Sequence, residues 1–186
     1  MLLYEDLRWR LSHPEIASSA PSVVVPIKAT LVVVDMQVFF PATRREATVD
    51  GAVELLRWAL ANNLAVVFLE HRGWGETLPR LMQVVEEAGA AGESLCSIKG
   101  KRTWDGSAEV EEVVRRRGFP EGQFFACGVN THECVLDTVT GLSKRFPGSS
   151  INVVREACNC ETHLPWSQFR QSKVLRHTSL ETVLAN

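Results

Sequence analysis

Six short runs of β-branched and apolar residues recur along the chain: "TLVVVD" (30–35), "AVVFLE" (65–70), "SLCSIK" (94–99), "QFFACG" (123–128), "INVVRE" (151–156) and "KVLRHT" (173–178). Among the stretches that separate them, three carry apolar residues at helical spacing. These are 48–63 with Val53, Leu56 and Leu60, 107–118 with Val110, Val113, Val114 and a Gly stop, and 131–146 with Val135, Val139 and Leu142. That rhythm restricts the topology to repeated strand–helix–strand units. Strands that are apolar almost without interruption need cover on both faces, whereas a sheet with one wet face alternates more clearly. The expected fold is therefore α/β: a doubly wound, mostly parallel six-stranded sheet with helices on both faces, a Rossmann-like three-layer sandwich. Residues 1–29, with Pro14, Pro21 and Pro26, read as an N-terminal arm, and residues 30–186 as one domain. A chain of 186 residues can bury a core without disulfide support.

Bulk properties narrow the class of partner. A formal net charge of -2 and no long like-charge run provide no basic field for nucleic acid or anionic lipid. The five cysteines are odd in number and lack a CxxC pair, which points to neither a disulfide framework nor a zinc knuckle. No apolar run is long enough to span a bilayer, and Glu5, Asp6, Arg8 and Arg10 interrupt any leader-like segment. The expectation is a reduced, cytoplasmic protein acting on a small molecule.

In an open parallel sheet, ligands bind outside the carboxyl ends of the strands where the strand order reverses. The first strand ends in Asp35, the third in Lys99, and the fourth runs through Gly128 into a helical segment carrying Cys134. Each alone has a plain structural reading: a turn cap, a solvated lysine, a core thiol. Together they could make a nucleophile, because helix N-terminal N–H groups and an ammonium stabilise a thiolate and a carboxylate can accept the thiol proton.

The stretches "LVVVDMQVFF", a lysine ahead of "WDGS", and "CGVNTHECV" resemble the isochorismatase-like cysteine hydrolases. The resemblance covers roughly 29–160. It implies a catalytic triad of Asp35, Lys99 and Cys134, a cis peptide at Val129–Asn130, and an oxyanion held by backbone N–H groups near Asn130 and Cys134. It also implies a homo-oligomer. The chemistry it implies is cleavage of an amide or ureido-type C–N bond through a thioester. Family members that cleave the vinyl ether of isochorismate can lack the cysteine. Vinyl-ether hydrolysis and a catalytically silent scaffold on the same fold remain as alternatives.

Two lysines precede Trp104, and neither has the family's spacing. Lys99 is preferred because it closes an apolar strand, whereas Lys101 sits in "KGKR", which reads as a solvated turn. Phe39, Trp74 and Trp104 fall in strand-end loops, as pocket wall or as core or interface packing. His71 reads as a loop residue or substrate contact, and His132 as lining the pocket or facing solvent. Nicotinamidase-type relatives hold a divalent metal with an Asp-x-His pair after the second strand. This chain has "EHRGWGETLP" there, so no metal and no other cofactor is expected.

Overall fold

The computed structural model describes residues 8, 9, 11, 12, 29–162 and 164–185, so most of the 1–29 arm lies outside the described residues. Six strands, β1 (Thr30–Val34), β2 (Ala65–His71), β3 (Cys96–Lys101), β4 (Gln123–Val129), β5 (Ser150–Asn159) and β6 (Leu175–Thr178), form one sheet in the order β3-β2-β1-β4-β5-β6. Every strand pairing is parallel. The order reverses between β1 and β4, which places the switch-point crevice at the ends of the strands that carry Asp35 and the cysteine segment.

Within residues 30–185 the α-helices are α1 (Glu46–Ala61), α2 (Pro79–Glu87), α3 (Gly89–Leu95), α4 (Ser107–Arg117), α5 (Leu136–Arg145) and α6 (Leu180–Leu184). α1 covers one face against β2 and β5 and meets α2 and α6, while α4 and α5 pack together on the other face. Val49, Ala52, Val53, Leu56 and Ala59 form the buried stripe of α1, at the i, i+3, i+4 spacing of an amphipathic helix. α4 ends where Gly118 turns left-handed at φ 65°, and Arg115, Arg116 and Arg117 complement the negative end of its dipole. Between these layers β1 is wholly buried, which is why its sequence is continuously apolar.

Three departures from the sequence expectation bear on the site. The stretch 79–95 forms two helices, α2 and α3, where no helix was expected. The segment 131–146 is not one helix: Thr131–Val135 forms a π-turn before α5 begins. And β3 spans Cys96–Lys101 rather than 94–99, two residues further along the chain. On β5 the register slips beyond Val153, so that Cys158 and Asn159, rather than the residues just after Val153, lie beside Gly128 and Val129. Among the described residues no helix is long and apolar enough to cross a membrane.

Candidate active site

Asp35 follows β1 at the switch point with φ 53°, a left-handed conformation that Asp tolerates better than most residues. Its N–H donates to Leu69 O at 3.0 Å, extending the β1–β2 ladder by one step, and its side chain is fully buried. Lys101 is the cation beside it. Its Nζ stands 2.9 Å from Asp35 Oδ2, and both side chains are inaccessible to solvent. The same ammonium donates to Thr103 O at 2.9 Å and Trp104 O at 3.1 Å. The contact with Asp35 is an ion pair at close range.

The Lys99 expectation is corrected here. Lys99 pairs with Leu69, which lies opposite Val34, so it is level with the last residue of β1, one step short of Asp35. Its ammonium instead meets Glu112 on α4 at 2.6 Å, a partly exposed surface pair. Two residues on, on the same side of the pleat, Lys101 pairs with His71 and clears the edge. The turn "RTWDGS" is built around it. Asp105 Oδ1 accepts the Ser107 N–H at 2.7 Å at the start of α4, and a Cβ on Gly106 would lie 2.9 Å from Lys101 Cδ. Glycine there leaves room for the lysine stem.

Cys134 is buried in the π-turn, whose last N–H, from Val135, reaches back to Asn130 O at 3.1 Å. The Val129–Asn130 peptide is cis. The Asn130 backbone and the Asp35 carboxylate both lie near enough to the Cys134 thiol to act on its charge. Burial, reinforced by the Asp35 charge, pushes the thiol pKa up to about 12, against the opposing pull of Lys101. Burial likewise raises Asp35, with Lys101 and the thiol working in the other direction. The resting group is thus a thiol, not the thiolate that the sequence argument favoured.

Gln37, the last residue of the D-x-Q motif, is fully buried and works as a clamp. Its Oε1 accepts the His71 N–H at 2.7 Å, and its Nε2 donates to His71 O at 3.1 Å and to Gly75 O. The turn after β2 is thereby fixed relative to Asp35. Glu70 is engaged as well. It accepts a two-pronged contact from Arg8 at 2.7 and 2.9 Å and both the N–H and hydroxyl of Thr77 at 2.9 and 2.7 Å. With Glu70 committed to a guanidinium and His71 followed by Arg72, this place does not fit a divalent ion. Among the described residues no cluster of three His, Cys, Asp or Glu side chains could hold one.

The remaining sequence candidates divide. His132 lines a cavity of about 190 Å³ beside the π-turn, together with Thr131, Asn159, Cys160, Trp166 and Arg45. Phe39, Trp74 and Trp104 do not line it. They stand exposed at 65%, 39% and 57%, with Trp74 stacked on Phe40 at 4.4 Å. His71 is tied by its backbone to Gln37, near enough to Asp35 to act on its charge. Arg45 was missed in the sequence, where it is one of two adjacent arginines with no pattern to mark it.

This is the α/β fold of the isochorismatase-like hydrolases. No family model matches the sequence, and no curated protein matches it. Among solved structures, MAR1 ribonuclease from Caenorhabditis elegans is similar, with TM-score 0.67 and 21% identity over 88% of this chain and 82% of that one. An isochorismatase family protein from Burkholderia thailandensis superposes with TM-score 0.67 and 18% identity over 90% of this chain and 98% of that one. A nicotinamidase/pyrazinamidase from Bacillus subtilis gives TM-score 0.65 and 19% identity, covering 82% of this chain and all of the other.

Proposed function

We propose that the chain is a hydrolase that cleaves the C–N bond of a small amide or ureide through a thioester on Cys134. The observation that carries this is the wholly buried Asp35–Lys101 pair set against the Cys134 thiol at the switch point. Desolvating two charges costs several kcal/mol each before pairing repays it, and two well-packed apolar residues would serve stability at least as well. A buried base and its counter-ion beside a thiol therefore suit chemistry better than packing. Nicotinamidases among the structural neighbours fit this reaction class. The ribonuclease likeness is one of fold, and a net charge of -2 offers nothing to a phosphate backbone.

Asp35 accepts the thiol proton as Cys134 Sγ attacks the substrate carbonyl carbon. The negative charge moves to the carbonyl oxygen, which the Asn130 N–H and the Cys134 N–H stabilise. Collapse breaks the C–N bond, and the leaving amine takes the proton from Asp35. Water then gives a proton to Asp35 and attacks the thioester, and the departing thiolate recovers that proton. Lys101 favours the ionised carboxylate at the start of each half and holds the side chain in place while it carries the proton. Burial and the adjacent Asp35 charge both disfavour a standing thiolate, which gives Asp35 its role as proton acceptor during the attack.

The test is an amide and ureide panel assayed by ammonia release, with acid-quenched samples weighed by mass spectrometry. An acyl adduct on Cys134, absent from Cys134→Ala, is the expected result. Turnover without any adduct, or retained by Cys134→Ala, overturns the proposal.

The pH profile follows from the raised Asp35 pKa. The working base is the carboxylate, so kcat/KM falls as pH drops through the folded-state pKa. That acid limb is expected above the value of about 3.9 of a solvated Asp. It should move higher still in Lys101→Met, which removes the cation that favours ionisation. A limb at or below the solvated value would exclude Asp35 as the base.

A further inference from the structure

We propose that Arg8 is a positioning residue of the active site: the N-terminal segment delivers a guanidinium that braces the turn after β2 and, through it, the chain that leaves Asp35. The proposal rests on the hydrolase reading for the role that Asp35 performs. All three nitrogens of the guanidinium are in use. Nη1 and Nη2 donate to the two oxygens of Glu70 at 2.7 and 2.9 Å, and Nε stands 3.1 Å from Glu76 Oε1. The Arg8 and Glu70 side chains are only 12% and 14% exposed. Three residues on, Leu11 is buried in the hydrophobic core and fixes the segment from which the guanidinium reaches. A planar fork can grip one carboxylate with two parallel bonds and still present its third nitrogen to another, which the compact ammonium of a lysine cannot reproduce.

The two carboxylates stand at opposite ends of one turn, Glu70 where it leaves β2 and Glu76 where it closes on Thr77. From the closing end a short antiparallel ladder holds the residues after Asp35. Val38 N–H donates to Glu76 O at 3.0 Å, Phe39 N–H to Trp74 O at 3.2 Å and Leu78 N–H to Met36 O at 2.8 Å, with Gln37 opposite Thr77. The opening end lies beside the reacting groups. The Asp35 N–H bonds to the residue before Glu70, Leu69, and the residue after it, His71, pairs with Lys101. Burial pushes the Glu70 pKa up, but the contacts from Arg8 and Thr77 outweigh it and hold the carboxyl below its ordinary value. Removing the guanidinium leaves two carboxylates that shared one cation to repel each other, and unties the ends of the turn. A divalent ion would gather such a turn through its ligands. This chain gathers it with a cation of its own, brought from a segment remote in sequence.

The experiment compares the full chain with Arg8→Ala and Arg8→Lys, by residue-resolved hydrogen exchange and by turnover of the amide that the unsubstituted protein cleaves best. In Arg8→Ala the amides of Val38, Phe39, Thr77 and Leu78 are expected to exchange about tenfold faster or more while β1 and β4 keep their protection. kcat per folded molecule is expected to fall about tenfold or more, as it does when a reacting group is misplaced from a distance. Millimolar guanidinium chloride should restore part of both, and an equal concentration of sodium chloride should not. Should Arg8→Ala fail to fold, Arg8→Lys carries the same comparison, with a smaller loss in the same direction. Unchanged exchange at the four amides, faster exchange with kcat unchanged, or a loss that sodium chloride repairs as well as guanidinium overturns the proposal. The exchange contrast with no turnover of any amide by the unsubstituted protein would remove the hydrolase and leave the brace, whereas turnover indifferent to Arg8→Ala would do the reverse.

Discussion

Lys101→Ala is expected to lower kcat by about 10²–10³-fold, the usual cost of removing one preorganised electrostatic group from an active site. Lys99→Ala is expected to change it by less than about twofold, because an exposed ion pair contributes roughly 0–1 kcal/mol and nothing to the crevice. The contrast is sharp because the two lysines share a strand, a side of the pleat and a chemistry, and differ by two positions of register. Lys101→Ala also strands a buried carboxylate. Breaking such a pair costs about 3–5 kcal/mol of stability, so kcat is to be referred to the folded fraction measured by urea unfolding. Loss of activity in Lys99→Ala with Lys101→Ala active would overturn the site as drawn.

Gly128→Ala is expected to destabilise the fold severely. Gly128 has φ 133°, outside the range an L side chain adopts readily, in a central strand hydrogen-bonded to β1. An added Cβ would overlap Val34 O and come within 2.7 Å of Val34 C and 2.8 Å of Val34 N. These are backbone atoms of the innermost strand, held on the other side by β2, so they have nowhere to retreat. A loss above about 4 kcal/mol follows, a large share of the roughly 5–15 kcal/mol that holds a typical domain together. Soluble yield and the urea midpoint check it. A folded Gly128→Ala protein within a few degrees of the parent Tm would show that β4 can move away from β1.

The layered architecture was legible because strand burial on two faces leaves a compositional mark. "TLVVVD" and "QFFACG" could hardly be anything but interior strands. Asp35 and Cys134 were legible for a related reason: each interrupts or follows an apolar run at the edge where ligands bind. Lys101 was not. The apolar signal of β3 stops at Ile98, and the last three residues, "KGK", carry no strand propensity; they are held in the ladder by pairing with Leu69, Glu70 and His71. Only the register shows that the strand continues, and register is a property of two segments at once. The cavity escaped for the same cause. Cys158 and Asn159 reach it through a slip between β5 and β4, and Arg45 joins them from a turn more than 110 residues earlier.

The π-turn has a consequence for how this chain could change over time. From Asn130 to Val135 it accommodates one residue more than an α-helical turn would. Deleting a single residue, such as His132, would let an ordinary helix run straight from the end of β4 into α5. With β4 fixed in the sheet between β1 and β5, the residues after the deletion, Cys134 among them, would turn by about 100° about the helix axis. The thiol would then swing away from Asp35. The length of this turn is therefore inherited information as binding as the identity of the cysteine.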